Sequence, residues 1–252
     1  MALSDLGNAF RGGVAFCTRL PVSGSERDWL RFQEVPATFP AVGYLLGLLL
    51  AVPFVLLDGP APAVAAVYLV AVYLLTGVNH LDGVADLGDA AAIHDGADRR
   101  EALKDTTTGV GAVGSVAVVV AGLALGAASV SGLPVGIVFI AGLVVASEVS
   151  AKLSMATVAC LGTAAHEGLG SQFTRNADPT LLLGPAVVAV PAALVGGVPT
   201  VLAVAAGPLV AYGLVRWADA ALGGVNGDVF GAANELARVA ALVVGVIAWT
   251  QF

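Results

Sequence analysis

The sequence predicts an all-α, polytopic membrane protein, with about seven transmembrane helices and an amphipathic N-terminal segment at the interface. Three observations predict it. Of the 252 residues, 58% are hydrophobic and only 12% charged, where a soluble domain carries about a quarter charged residues. Mean hydropathy is +0.91, and several uncharged apolar stretches approach the length of about 18 residues that reads as a membrane helix. The 32 glycines and abundant alanine suit helices that pack closely through small residues.

The first 40 residues form the predicted cytoplasmic or interfacial segment of a single integral-membrane domain covering 1–252. Leu3, Leu6, Phe10, Val14 and Cys17 recur at helical spacing, with Arg11 and Arg19 off that stripe, as in an amphipathic helix on a membrane face. A soluble helix packed on the cytoplasmic loops has the same pattern. No secretory signal is expected, because this stretch lacks a long apolar core. Spans are expected near 41–57, 61–79, 110–128, 133–150, 180–197, 199–216 and 234–251. Pro53, Pro191 and Pro208 fall inside these segments, where neighbouring helices can satisfy the freed carbonyls. Residues 133–165 are the ambiguous stretch, too long for one span and carrying Glu148 and Lys152 at an i,i+4 spacing. Two spans there would invert every later orientation.

Seven spans place residues 1–40, 80–109, 151–179 and 217–233 on one side. Nearly all of the 11 basic residues lie there or at its edge, and none lies in the opposite short turns. The positive-inside rule makes that side cytoplasmic, so a multi-pass protein of the cell membrane is expected, with its working loops in the cytoplasm. The net charge of −7 argues against nucleic-acid partners. Cys17 and Cys160 form no CxxC or zinc spacing and read as apolar fillers.

The span at 61–79 runs into "NHLDGVADLGDA". On a continuing helix, Asp82, Asp86 and Asp89 fall within an arc of about 60°, with Asn79 at its margin. Like charges so placed repel and weaken a helix, and near hydrocarbon each costs more still. A divalent ion would relieve that repulsion: carboxylates and water suit Mg²⁺ or Mn²⁺, and such ions clamp pyrophosphates. The plainer reading is a solvated helix end. Lys104 and Asp105, in "ALKDTTTGVGAVG", could add a phosphate contact and a further carboxylate. The embedded G-x-G-x-x-G (Gly109, Gly111, Gly114) follows no strand, so it points to close helix packing and not to a dinucleotide site. In "GGVNGDVFGAANE", Asp228 reads as a metal ligand or a helix cap, with Asn234 and Glu235 at the mouth of the last span. His80 lies off the aspartate face, as a packing or hydrogen-bonding group; His94 reads as loop surface, and His166 sits beside Glu167.

Taken in order, these segments resemble the cobalamin synthase family, the adenosylcobinamide-GDP ribazoletransferases. "TRLPV" at 18–22, "FPAVG" at 39–43, "TGVNHLDGVADLGDA" at 76–90, "LKD" at 103–105, "HEGLG" at 166–170 and "GDVFGAANEL" at 227–236 carry the likeness. It differs at Thr106–Thr108, where the family often has an arginine, and at Arg238, where an acid is expected. The resemblance implies a Mg²⁺-dependent transfer from adenosylcobinamide-GDP to α-ribazole or its 5′-phosphate, releasing GMP. It implies Asp82, Asp86, Asp89 and Asp228 as metal ligands, and any of Asp82, Asp86, Asp89 or Asp105 as general base. Substrate contacts would come from Asn79, His80, Lys104, Asp228 and Asn234. The partners implied are those two substrates and membrane lipid, with a homo-oligomer left open. The aspartate motif alone is also similar to CDP-alcohol phosphotransferases, but Ala85-Asp86 replaces their Ala-Arg. A transporter would need acids deep in the spans, where only Glu148 stands, and an internal repeat that is not seen.

Overall fold

The computed structural model describes residues 3–93 and 107–252. The described residues fold into α1 (Leu3–Cys17), α2 (Glu26–Glu34), α3 (Thr38–Leu56), α4 (Ala61–Thr76), α5 (Asn79–Ala92), α6 (Val110–Ser131), α7 (Ile137–Leu161), α8 (Leu169–Thr174), a 3₁₀ turn (Pro179–Leu182), α9 (Leu183–Leu194), α10 (Val198–Leu222) and α11 (Gly227–Gln251). They contain no strand; one isolated parallel bridge joins Ala164 to Val225.

By length and composition α3, α6, α7, α10 and α11 can each cross a bilayer. The expected span at 61–79 is shorter. α4 has 16 residues, which rise about 24 Å against a hydrocarbon core of about 30 Å. It joins α5 through a bend of 97° at Gly77, whose φ of 72° disfavours any residue with a Cβ. α4 and α5 together form the sixth candidate crossing. Because of the bend, α5 leaves the axis of α4 at nearly a right angle, and α4 alone is too short to be counted as a span. α9 has only 12 residues and forms, with the 3₁₀ turn, a shorter apolar helix. The described residues therefore hold five or six candidate spans where about seven are expected, although a helix lies at each expected place. The ambiguity at 133–165 is resolved: α7 is a single helix of 25 residues.

α7 is the axis of this multi-pass bundle and is buried continuously from Ala146 to Cys160. α3 lies on it through Gly43 and Gly47. A Cβ on either would stand 2.8 Å from Glu148 O or 2.6 Å from the Val145 Cα, so only glycine permits that approach. Outward-facing apolar side chains such as Leu48, Val118 and Leu209 are exposed, as a helix facing lipid requires.

At the end of the bundle where α5 lies, α1 and α2 form a small helical pair. Ser25 and Asp28 close a capping box at the start of α2. The stripe on α1 divides: Val14 and Cys17 are buried, whereas Leu3, Leu6 and Phe10 stay exposed. Phe16, Trp29, Phe32, Phe39, Phe173 and Phe230 stack with ring centroids 4.8–6.0 Å apart. That cluster fastens the pair to α3, α8 and the first turn of α11.

Candidate active site at the α5 end of the bundle

α5 lies across the first turns of α6 and α11, close enough for backbones to meet. A Cβ on Gly83 would stand 2.6 Å from Asp228 O, and one on Gly231 would stand 3.0 Å from the His80 Cα. Gly88 of α5 meets Gly111 of α6 in the same way, so Gly111 of the glycine motif serves helix packing. The helix is amphipathic across this seat. Val84, Leu87, Gly88 and Ala91 line an apolar cavity of 450 Å³ with Trp217, and the aspartates occupy the opposite face.

Asp82 is exposed, and Asp86, Asp89 and Asp228 are half-buried. Asp89 is committed to α6: its oxygens accept from Gly109 N at 2.7 Å and Ala112 N at 2.8 Å. It thus satisfies donors that a helix start leaves open. Asp228 accepts from Asn226 Nδ2 at 2.7 Å, while Asn226 caps α11 by accepting from Val229 N at 3.2 Å. Asp86 takes the repulsion. Partial burial, then the charges of Asp228, Asp82 and Asp89, push its carboxyl up to about 6.

Among the described residues no lysine or arginine pairs with Asp82 or Asp86. No three His, Cys, Asp or Glu side chains there close into a metal-enclosing shell. The donors at this corner are hard carboxylate oxygens under mutual repulsion, with Asp82 open to solvent. That set fits a Mg²⁺-like ion, which keeps waters and uses one or two carboxylates with substrate phosphates to complete its shell. Lys104, Asp105 and His94 lie outside the described residues.

Beside this corner the 163–178 segment frames a cavity of 760 Å³, lined by Thr163, His166, Glu167, Ser171, Arg175 and Asp178 among others. It is tied to the approach to α11 by Ala165 N to Val225 O at 3.0 Å and Val225 N to Thr163 O at 2.8 Å. His166 comes within electrostatic reach of Asp228, and Arg175 pairs with Glu167. His166 thus links a cavity of mixed polar and apolar lining to the Asp228 side of the corner.

Asn79 is exposed, but His80 and Asn234 are buried. Substrate contact is the expectation for Asn234, yet its side chain is fully enclosed and both its amide atoms are engaged. Asn234 Oδ1 accepts from Lys152 Nζ at 2.7 Å. Its Nδ2 lies 3.3 Å from His80 Nδ1 and 3.0 Å from Glu235 Oε1. Arg238 extends this network, donating to Glu148 at 2.5 and 3.1 Å and to Glu235 at 2.6 Å. The arginine that departs from the resemblance is thus locked between two buried acids. Tyr68 and Tyr73 hydroxyls and Glu235 Oε2 are enclosed without a partner among the described residues, a setting that suits buried water. The network is a feature that sequence reasoning passed over. Its signal was four charged residues, with Glu148, Glu235 and Arg238 inside segments that otherwise read as spans and Lys152 just beyond one.

Residues 9–246 match the family model for cobalamin-5-phosphate synthase. The chain belongs to the cobalamin-5-phosphate synthase family. A protein of Halorubrum lacusprofundi is 48% identical over 97% of this chain and 98% of its own length. One of Haloquadratum walsbyi is 42% identical over 96% and 98%, and one of Methanocella arvoryzae 35% identical over 98% and 99%. All three are named adenosylcobinamide-GDP ribazoletransferase. No solved structure matches the chain. Within this family, the aspartate corner and the 760 Å³ cavity make the α5 end the candidate active site of the present chain.

Proposed function

We propose that this protein transfers the adenosylcobinamide-phosphate group of adenosylcobinamide-GDP to a ribose hydroxyl of α-ribazole or its 5′-phosphate, with Mg²⁺, or Mn²⁺ in its place. The observation that carries this reading is the set of carboxylates Asp82 and Asp86 of α5 beside Asp228 of α11, which no lysine or arginine among the described residues neutralises. Such a corner demands a cation and can offer it to a pyrophosphate. A bound Mg²⁺ would neutralise charge building on the bridging and leaving oxygens. Asp82, Asp86 and Asp228 would hold it, and Asp89 would serve by seating α6 against α5.

The new bond joins the ribose oxygen to the cobinamide-side phosphorus; the bond to the GMP oxygen breaks and GMP leaves. A carboxylate of this corner takes the hydroxyl proton; Asp82, as the exposed one, is free to approach an incoming substrate. The 163–178 cavity supplies room for a nucleoside next to the reacting centre. The distribution of arginine and lysine supports a cytoplasmic placement of this end, and exposed Leu3, Leu6 and Phe10 support contact of α1 with membrane lipid. Membership of the family favours this reading over a CDP-alcohol phosphotransferase or a transporter.

Purified, detergent-solubilised protein given adenosylcobinamide-GDP and α-ribazole is expected to release GMP only with Mg²⁺ or Mn²⁺. Asp82→Ala should reduce that release about 10²–10³-fold. If folded wild-type protein yields no GMP with either acceptor, at low or high salt, the assignment fails.

A further inference from the structure

The fixed position of α5 is not explained by its own contacts with water and lipid. Its aspartates repel one another, its N-cap Val78 offers no side-chain cap, and it follows a glycine bend. Close backbone packing at Gly83 and Gly231 seats its first turns on α11, and among the described residues one buried polar tie joins the same turn to that helix. His80 Nδ1 faces Asn234 Nδ2 of α11 at 3.3 Å. That geometry requires Nδ1 to accept, so the ring carries its proton on Nε2. The amide is held from its other end, where Oδ1 accepts from Lys152 Nζ of α7 at 2.7 Å. Lys152 is fully buried, and among the described residues its other hydrogen-bond partner is the sulfur of Met155 at 3.8 Å. A lysine enclosed with one good oxygen acceptor is a costly way to stabilise a bundle. It is, however, an effective way to fix which end of the Asn234 amide points at His80, because an ammonium can only donate.

We propose that Asn234 is a positioning residue: with Lys152 behind it, it clamps His80 and so sets the placement of α5, on which Asp82 and Asp86 ride. Asn234 is fully enclosed in this arrangement. It lies six residues beyond Asp228 on α11, so one helix carries both the clamp and a carboxylate of the corner. The clamp's effect on turnover rests on the reaction proposed above; its effect on α5 does not, and the two are measured separately.

Hydrogen exchange is followed on full-length protein in detergent, with the 38–56 helix as internal reference. Asn234→Ala and His80→Leu are expected to raise amide exchange in 79–92 about tenfold, with 38–56 within about twofold of wild type. His80→Gln, which keeps an acceptor for the amide, should restore most of the protection. Turnover should follow the exchange: kcat falling about 10–100-fold in Asn234→Ala and His80→Leu, with KM for both substrates changed by less than about threefold. Unchanged exchange in 79–92 in His80→Leu overturns the proposal, as does equal loss of protection in His80→Leu and His80→Gln. Should Asn234→Ala fail to fold because Lys152 is left unpaired, the His80 pair alone decides. Increased α5 exchange without any GMP release by wild type would support the clamp and remove the proposed reaction.

Discussion

Asp86→Asn is expected to raise the thermal midpoint of the metal-free protein at pH 7 while nearly abolishing turnover. The carboxyl is pushed up to about 6 from an ordinary 3.8, first by burial and then by Asp228, Asp82 and Asp89. Because the folded value lies above the unfolded one, the contribution of Asp86 to stability is fully present below about pH 4. It is lost as pH rises through about 6. Asparagine never ionises, so the variant should escape that fall. Solvent reaches the half-buried group, so the gain should stay below about 1 kcal/mol, or about 1–3 °C. Millimolar Mg²⁺ should raise the wild-type midpoint at pH 7 more than that of the variant, since a ligand bound only by the folded state stabilises it. GMP release should fall about 10²–10³-fold. A wild-type midpoint that stays flat between pH 4.5 and 7 without divalent ions would show that the corner is not under repulsion, and the case for a cation there would go with it.

Arg238→Met should have the largest effect on stability of any single change in the bundle. The guanidinium is fully buried and engages Glu148 through two nitrogens and Glu235 through a third. Together with Lys152 the cluster sums to zero: two acids and two bases. Removing Arg238 leaves a net negative charge in the interior, a loss of about 3–5 kcal/mol. Glu148→Gln leaves the opposite imbalance and should also destabilise. The double variant Glu148→Gln/Arg238→Met returns the sum to zero and should recover at least half the loss, giving a coupling of about 1–3 kcal/mol in a double-mutant cycle. Thermal midpoints of all four proteins in detergent test this. Strictly additive losses would mean that the charges are screened by water inside the bundle.

Much of the fold is legible in the sequence because apolar composition and length report membrane helices directly. The stretch at 133–165 was not, for a physical reason: Glu148 looks costly until its partner is known, and Arg238 stands 90 positions away. A helix with a paired acid can run unbroken from Ile137 to Leu161; one with an unpaired acid invites a break. The aspartate face of α5 is a matter of helical period, so Asp82 and Asp86 could be placed together from spacing alone. The use of Asp89 could not be read this way. Its partners, Gly109 N and Ala112 N, belong to the next helix and become donors only when that helix starts there. Asn234 lies in a motif that resembles a substrate-contacting segment, yet burial, which spacing does not report, turns it inward.

The balanced cluster in the interior also bears on how the enzyme meets an energised membrane. A side chain shifted across 100 mV exchanges about 2.3 kcal/mol with the field per unit charge, which is how voltage-sensing helices are driven. Here Glu148, Lys152, Glu235 and Arg238 are two acids and two bases joined, with Asn234, through one set of hydrogen bonds. A field across the bundle would pull the acids and the bases in opposite directions against those shared bonds, so the group resists displacement as one unit.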